Sequence, residues 1–359
     1  MGRRSRNAHG RSAGARVVLV GAVVVLSAMA SAVPAVSAQD GKIRGMTVST
    51  PRGSAEWGRD SIVPAFAELK SLGSNWVSIH PYARIDRNGE VRWRRQDGDS
   101  DQAPEWLRRP IEEAHRQGLK IFVKPHLAHW GSYSWRGEIA YEDPEARERF
   151  FRTYRQWIST MARFSSGADA FAVGTELDGT IEHEDEWRAT IAAVRAEFDG
   201  PLTYAANWTD YERIPFWDAL DAIGIQAYFP LLDRSRVGER LPPQSEFDAG
   251  WRSIMARMRE FSERHDKIVV FTELGYNLSS KAPYEPWDYE AKGGRYAAEL
   301  QERCMRAALS AIAMEPSVVG AFLWKWFPGE REPRDFAMSS PAMRRVISEH
   351  WLPSAEPDR

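Results

Sequence analysis

Eight short apolar runs, separated by segments whose apolar residues recur every three or four positions, constrain this chain more than any other feature. The runs cover 43–49, 76–80, 120–125, the stretch from Ala170 into Glu176, 202–207, 222–228, 268–272 and 320–327. Their length and near-continuous apolar character predict strands buried on both faces. Helical patterns lie between most of them, at 60–73, 103–118, 184–198, 245–264, 288–313 and 341–351, with a shorter segment around 216–220. Another helix opens at Asp143-Pro144, an N-cap followed by proline at the first helical position, and buries Phe150, Tyr154, Trp157, Ile158, Met161 and Phe164. Strict alternation implies a parallel sheet. A count of eight favours an α/β fold with a single closed (β/α)8 TIM barrel over an open doubly wound sheet. No glycine-rich phosphate loop follows the first run, which argues against dinucleotide binding.

The first 38 residues stand outside this pattern. Arg3, Arg4, Arg6, Arg11 and Arg16 form a basic leader, residues 17–30 are apolar, and Val36-Ser37-Ala38 offers small residues at a cleavage position. A secretory signal peptide over 1–38 is predicted, with an apolar core too short for a membrane span. The expected location is secreted or periplasmic, in the cell envelope, without stable membrane insertion after cleavage. Ser-Arg-Asn after Arg3-Arg4 fits a twin-arginine route poorly, and the predicted cleavage site is not followed by a lipid-bearing cysteine. Cleavage removes five arginines and no acid, taking the formal charge from −2 to −7 and arguing against a nucleic-acid partner. Cys304 is the single cysteine, so no intramolecular disulfide forms, and its helical surroundings predict a core residue rather than a nucleophile. The remainder suits one domain over 39–352, expected to be a monomer, with a loose tail over 353–359.

Barrel enzymes build their sites at the C-terminal strand ends. Those ends supply His80 and Tyr82, Lys124 and His126, Thr175 and Glu176, Asn207 and Trp208, Gln226 and Tyr228, Glu273 and Tyr276, and Trp324, Lys325 and Trp326. A purely structural barrel needs no such ring of polar and aromatic groups. Glu176 and Glu273 end the fourth and seventh runs, on roughly opposite sides of an eight-strand barrel, so their carboxylates can flank a bound sugar. Paired carboxylates cleave glycosidic bonds, with retention of configuration when they lie about 5 Å apart and inversion when the gap is wider. Alternation places Ala170, Ala172, Gly174 and Glu176 inward, and Phe171 and Val173 towards the helices. Trp130, Trp135, Trp208, Trp324 and Trp326 are expected to stack on sugar faces, whereas Trp157, Trp187 and Trp251 lie on helical stripes and belong to the core. His126 and His129 follow Pro125 and lack a clear third ligand, so neither a metal nor a cofactor is expected. Asn207-Trp-Thr and Asn277-Leu-Ser match the N-glycosylation pattern, but both follow strand ends and read as site or turn residues.

Five stretches carry a family resemblance. They are Lys-Pro-His at 124–126, Gly-Thr-Glu-Leu at 174–177, Tyr-Ala-Ala-Asn-Trp at 204–208, Asp-Ala-Ile-Gly-Ile-Gln-Ala-Tyr-Phe-Pro at 221–230 and Thr-Glu-Leu-Gly-Tyr at 272–276. In this order, over about 43–330, the chain resembles glycoside hydrolase family 113 of clan A, whose known members include β-mannanases acting on β-1,4-mannan. The resemblance implies Glu176 as acid/base, Glu273 as nucleophile, retention of configuration and no metal. A polysaccharide or oligosaccharide substrate is expected, contacted from the strand ends by His80, Lys124, His126, Thr175, Asn207, Trp208, Tyr228, Tyr276, Trp324 and Trp326. Much of the clan has asparagine before the acid/base glutamate, where it touches the sugar 2-hydroxyl. Thr175 stands there in this chain, and Asn207 on the next strand is the candidate substitute. Two other readings remain: a catalytically weak barrel that only binds glycan in the cell envelope, and a metal-dependent hydrolase.

Overall fold

The computed structural model describes residues 41–353 except 52, 94–101, 239, 330–335 and 337. The predicted leader over 1–38 and all of the predicted tail except Pro353 lie outside the described residues. Strands along the described chain are β1 (Ile43–Val48), β2 (Trp76–Ile79), β3 (Tyr82–Ile85), β4 (Val91–Arg92), β5 (Lys120–Val123), β6 (His126–Ala128), β7 (Ala170–Thr175), β8 (Leu202–Asn207), β9 (Ala222–Gln226), β10 (Val269–Leu274) and β11 (Val318–Trp326). Helices are α1 (Ile62–Ser71), α2 (Glu105–Arg116), α3 (Pro144–Phe164), α4 (Glu184–Arg195), α5 (Gln244–His265), α6 (Ala297–Met314) and α7 (Pro341–Trp351).

The eight predicted strands close into a parallel barrel in the order β1-β11-β10-β9-β8-β7-β5-β2. A helix follows each barrel strand except β8, which is followed by short 3-10 turns at Tyr211–Arg213 and Trp217–Ala219. Asp143 caps α3 by accepting from the Glu145 and Ala146 amides, with Pro144 at its first position, as the sequence predicts. The helix expected from 288 begins instead at Ala297. Gly293 and Gly294, at φ of 64° and 99°, break the helical path before it. A small sheet, ordered β4-β3-β6, sits beyond β2 and β5; strict period counting over such short pieces misses it.

Inside the barrel, Phe122, Ala172, Val270 and Phe322 form an apolar layer, with the Phe122 and Phe322 rings 4.9 Å apart. Above it the interior turns polar. The Thr272 hydroxyl donates to Gln226 Oε1 at 2.9 Å, and Lys124 Nζ approaches the same oxygen at 3.2 Å. Cys304 is fully buried in α6, as expected of a core thiol.

Three bulges decide which side chains reach the barrel mouth. In β7 the register against β8 shifts between Ala172 and Thr175, so the expected alternation fails at Gly174. Ala172 faces the interior, but a Cβ on Gly174 would point at the helix layer, 2.7 Å from both the Trp187 and Tyr204 rings. Those rings are fully buried and cannot swing away. Gly174→Ala is therefore expected to lower stability by about 1–3 kcal/mol through overpacking, measurable as a lower denaturant midpoint. In β10, Val270 faces inward and Phe271 packs outward on Trp251 of α5 at 5.8 Å, so simple alternation would turn Glu273 outward. A register shift between Phe271 and Glu273 re-aims it into the barrel. In β11, Thr47 pairs with Trp324 and Val48 with Trp326, leaving Lys325 as the extra residue.

Candidate active site

Glu273 lies in a dedicated cradle at the tip of β10 and is 4% exposed. Lys124, from the end of β5, donates to its Oε1, and the Tyr228 hydroxyl, just beyond β9, donates to Oε2 at 2.6 Å. Burial pushes the Lys124 ammonium below its usual range, and the Glu273 charge pulls it back up. Burial also holds the Tyr228 phenol well above its ordinary value, reinforced by the Glu273 charge, so it stays a hydrogen-bond donor. Each oxygen of Glu273 thus receives a donor, and the pair fixes its rotamer.

Glu176 has a different setting. It follows β7 in a left-handed conformation, φ 50°, that a non-glycine residue adopts at a cost of roughly 1–3 kcal/mol. The Glu176 amide donates to the Ala205 carbonyl at 2.9 Å and the next amide, Leu177, to the Tyr204 hydroxyl at 2.8 Å, pinning that turn to β8. Burial raises the Glu176 carboxyl above its usual range. Arg136 opposes this, the Glu273 charge adds to it, and Lys124 and a hydrogen bond from Trp135 oppose it. Arg136 Nε stands 3.9 Å from Glu176 Oε2. The two carboxyl groups at one barrel mouth thus have different surroundings: Glu273 accepts from Lys124 and Tyr228, and Glu176 lies beside Arg136.

The other strand ends complete the cleft. His80 shares a 2.6 Å hydrogen bond with the Ser49 hydroxyl, and the His126 ring stacks on Trp324 at 6.0 Å. Burial, followed by the charges of Lys124, Lys325 and Arg136, holds both imidazoles well below their ordinary pKa. They are neutral at neutral pH, and both ring nitrogens of His126 are buried without a hydrogen-bond partner. Thr175 donates to the Pro125 carbonyl at 3.0 Å and so braces β7 against the end of β5. Asn207 Oδ1 accepts from the Thr209 amide at 3.2 Å, with the Thr209 hydroxyl oxygen 3.1 Å away. Trp208 stacks on Trp287 with centroids 5.1 Å apart.

Two residues expected in the cleft are elsewhere. Tyr276 is fully buried in the helix layer, where its hydroxyl accepts from Trp251 Nε1 at 2.9 Å, because the chain turns outward after Glu273. Trp326 is also turned out, under the Arg344 guanidinium at 4.6 Å, because the Lys325 bulge reverses the alternation after Trp324. Arg136 is the principal residue that strand-end reasoning misses. It sits on a 3-10 turn, Arg136–Glu138, in the aromatic loop, and its buried Nε and Nη1 lack hydrogen-bond partners. Only the density of aromatics around it marked that loop. Among the described residues, no group of three or more His, Cys, Asp and Glu side chains is placed to hold a metal ion.

No curated protein matches the chain. Among solved structures, the chain is similar to the GH113 β-mannanase AaManA from Alicyclobacillus acidocaldarius in complex with ManMIm. The two are 28% identical over 88% of this chain and 98% of that one, with a TM-score of 0.74. A GH113 β-1,4-mannanase shares the fold at 22% identity over 86% of this chain and 98% of that one, with a TM-score of 0.74. A Glycoside Hydrolase Family 5 mannosidase from Rhizomucor miehei shares it at 11% identity over 86% and 92%, with a TM-score of 0.60. The family model of Glycoside Hydrolase Family 113 matches residues 46–339, so the chain belongs to that family and is a glycoside hydrolase.

Proposed function

We propose that the chain is an exported, retaining, endo-acting β-mannanase, with Glu273 as nucleophile and Glu176 as acid/base. The contrast between the two settings carries this reading: Lys124 and Tyr228 donate to the two oxygens of Glu273 and aim it, while burial raises the Glu176 carboxyl above its usual range, as an acid requires. In the first step Glu273 bonds to the anomeric carbon as Glu176 gives its proton to the departing oxygen. In the second, Glu176 takes a proton from water, which displaces Glu273 and releases the sugar. The likeness to a GH113 β-mannanase supports mannan as substrate. Aromatic pairs support a polymeric one. Trp130 beside Tyr82 and Trp287 beside Trp208 lie near β2 and β8, on either side of β7 around the rim. Export rests on the basic and apolar leader.

Digestion of a polysaccharide panel tests the reading. Mannan and glucomannan are expected to be cleaved internally, with the β-anomer as the first product seen by NMR. An α-anomer first would overturn retention. Cleavage confined to a non-mannan polymer would overturn the substrate, and binding without hydrolysis across the panel would favour the glycan-binding reading.

A further inference from the structure

Two residues beyond Glu176, a third carboxyl group lies buried beside the cleft. Asp178 is 7% exposed and opens a 3-10 turn, Asp178–Thr180, that continues from the β7 tip. Neither of its buried carboxyl oxygens has a hydrogen-bond partner, yet the group facing it is another carboxyl, that of Asp210 in the loop after β8. Both oxygens of Asp210 are already engaged. Oδ1 accepts from Arg213 Nη1 and Oδ2 from the Thr209 hydroxyl, each at 2.5 Å. Two ionised carboxylates offer only acceptors to each other, and an unpartnered buried anion costs several kcal/mol. A single proton resolves the clash by converting it into a short charge-assisted bond. Asp210 already has a donor on each oxygen and Asp178 has none, so the proton belongs on Asp178.

We propose that Asp178 is a positioning residue: as a neutral acid it donates its proton to Asp210, tying the strand tip that carries Glu176 to the loop that follows Asn207 and carries Trp208. The charged and titratable groups facing Asp178 are Glu176 on its own segment, Asp210 and Arg213 on the β8 loop, and Tyr204 on β8. Burial, followed by the charges of Glu176 and Asp210, pushes the Asp178 carboxyl up to about 8. Below that pH the link is closed. Above it, Glu176, Asp178 and Asp210 repel one another and the link opens. The catalytic part of this inference rests on the acid/base role proposed for Glu176, but the location of the proton does not.

Asp178→Asn and Asp178→Ala separate the possibilities, because asparagine keeps a donor towards Asp210 without a titrating proton. On a glycan cleaved by the wild type, Asp178→Ala is expected to lower kcat by roughly 10- to 100-fold with KM changed less than about threefold. Asp178→Asn is expected to recover most of that loss. The alkaline limb of log kcat/KM should fall with a slope of about −2 in the wild type, for two required protons, and about −1 in Asp178→Asn. Unfolding supplies a readout that needs no substrate. The folded state holds a proton on Asp178 that the unfolded chain releases near the ordinary aspartate pKa, so stability is lost as pH rises towards the folded value. Between about pH 5 and about pH 8 the wild-type urea midpoint should therefore fall more than that of Asp178→Asn. Equal pH slopes of the midpoint in the two proteins would overturn the buried proton, whatever the substrate proves to be. If the unfolding difference is present but asparagine rescues activity no better than alanine, the positioning role is overturned.

Discussion

Glu273→Gln is expected to reduce kcat on a cleaved glycan by about 10⁴- to 10⁶-fold, with KM and the far-ultraviolet circular dichroism spectrum close to wild type. The amide matches the carboxylate in shape, so the cleft keeps its form, but it cannot supply the anion that bonds to the anomeric carbon. The donors around it make the loss specific. Lys124 and Tyr228 both direct hydrogens at the Glu273 oxygens, and an amide nitrogen in either position faces a donor rather than an acceptor. Without the Glu273 charge the burial of Lys124 is less opposed, so its ammonium moves further below the ordinary range. Steady-state kinetics with product analysis checks the prediction, and turnover within tenfold of wild type would remove Glu273 from the nucleophile role.

The second large effect is expected at Glu176. Glu176→Ala should cost roughly 10²- to 10⁴-fold on a polysaccharide, whose departing alcohol needs a proton. An aryl glycoside with a good leaving group needs no such help in the first step, so the variant should show a burst followed by slow release. Azide then attacks without needing a base and should restore turnover, with a β-glycosyl azide as product. Failure of azide to accelerate release, with the fold intact, would remove Glu176 from the acid/base role. The pH profile adds a sign. Burial raises the Glu176 carboxyl, so the proton required for the first step is present at lower pH and lost as pH rises through that raised value. The wild type therefore loses activity on an alkaline limb above the usual carboxylate range, and the Glu176 part of that limb is absent in Glu176→Ala.

Much of the fold was legible in the chain because the barrel repeats one simple unit. Runs such as that from Ala170 and that ending in Glu273 are apolar enough to demand burial on both faces, and the stripes between them, such as Phe150, Tyr154 and Trp157, demand a sheet to pack on. The helix expected from residue 288 was misplaced because Gly293-Gly294 outweighs the apolar pattern around it. Arg136 was not legible as a site residue, since an arginine in an aromatic loop has no periodicity to betray its direction. Tyr276 and Trp326 read as cleft residues from their positions next to strand ends, and the structure turns both into the helix layer.

By itself, the sequence determined the number of barrel strands, the helices between most of them and the two strand ends that carry glutamate. These follow from local hydrophobicity, which survives without knowledge of neighbours. Only the tertiary structure decided which side chains enter the cleft. A bulge is set by register against a neighbouring strand, and one extra residue turns every later side chain to the other face. The shift before Glu273 brings a carboxylate inward that strict alternation would have sent out, and the extra Lys325 sends Trp326 away from Trp324. The pairing of Asp178 with Asp210 is likewise tertiary, because two carboxyl groups 32 positions apart become one proton-sharing pair only where the β7 and β8 tips meet.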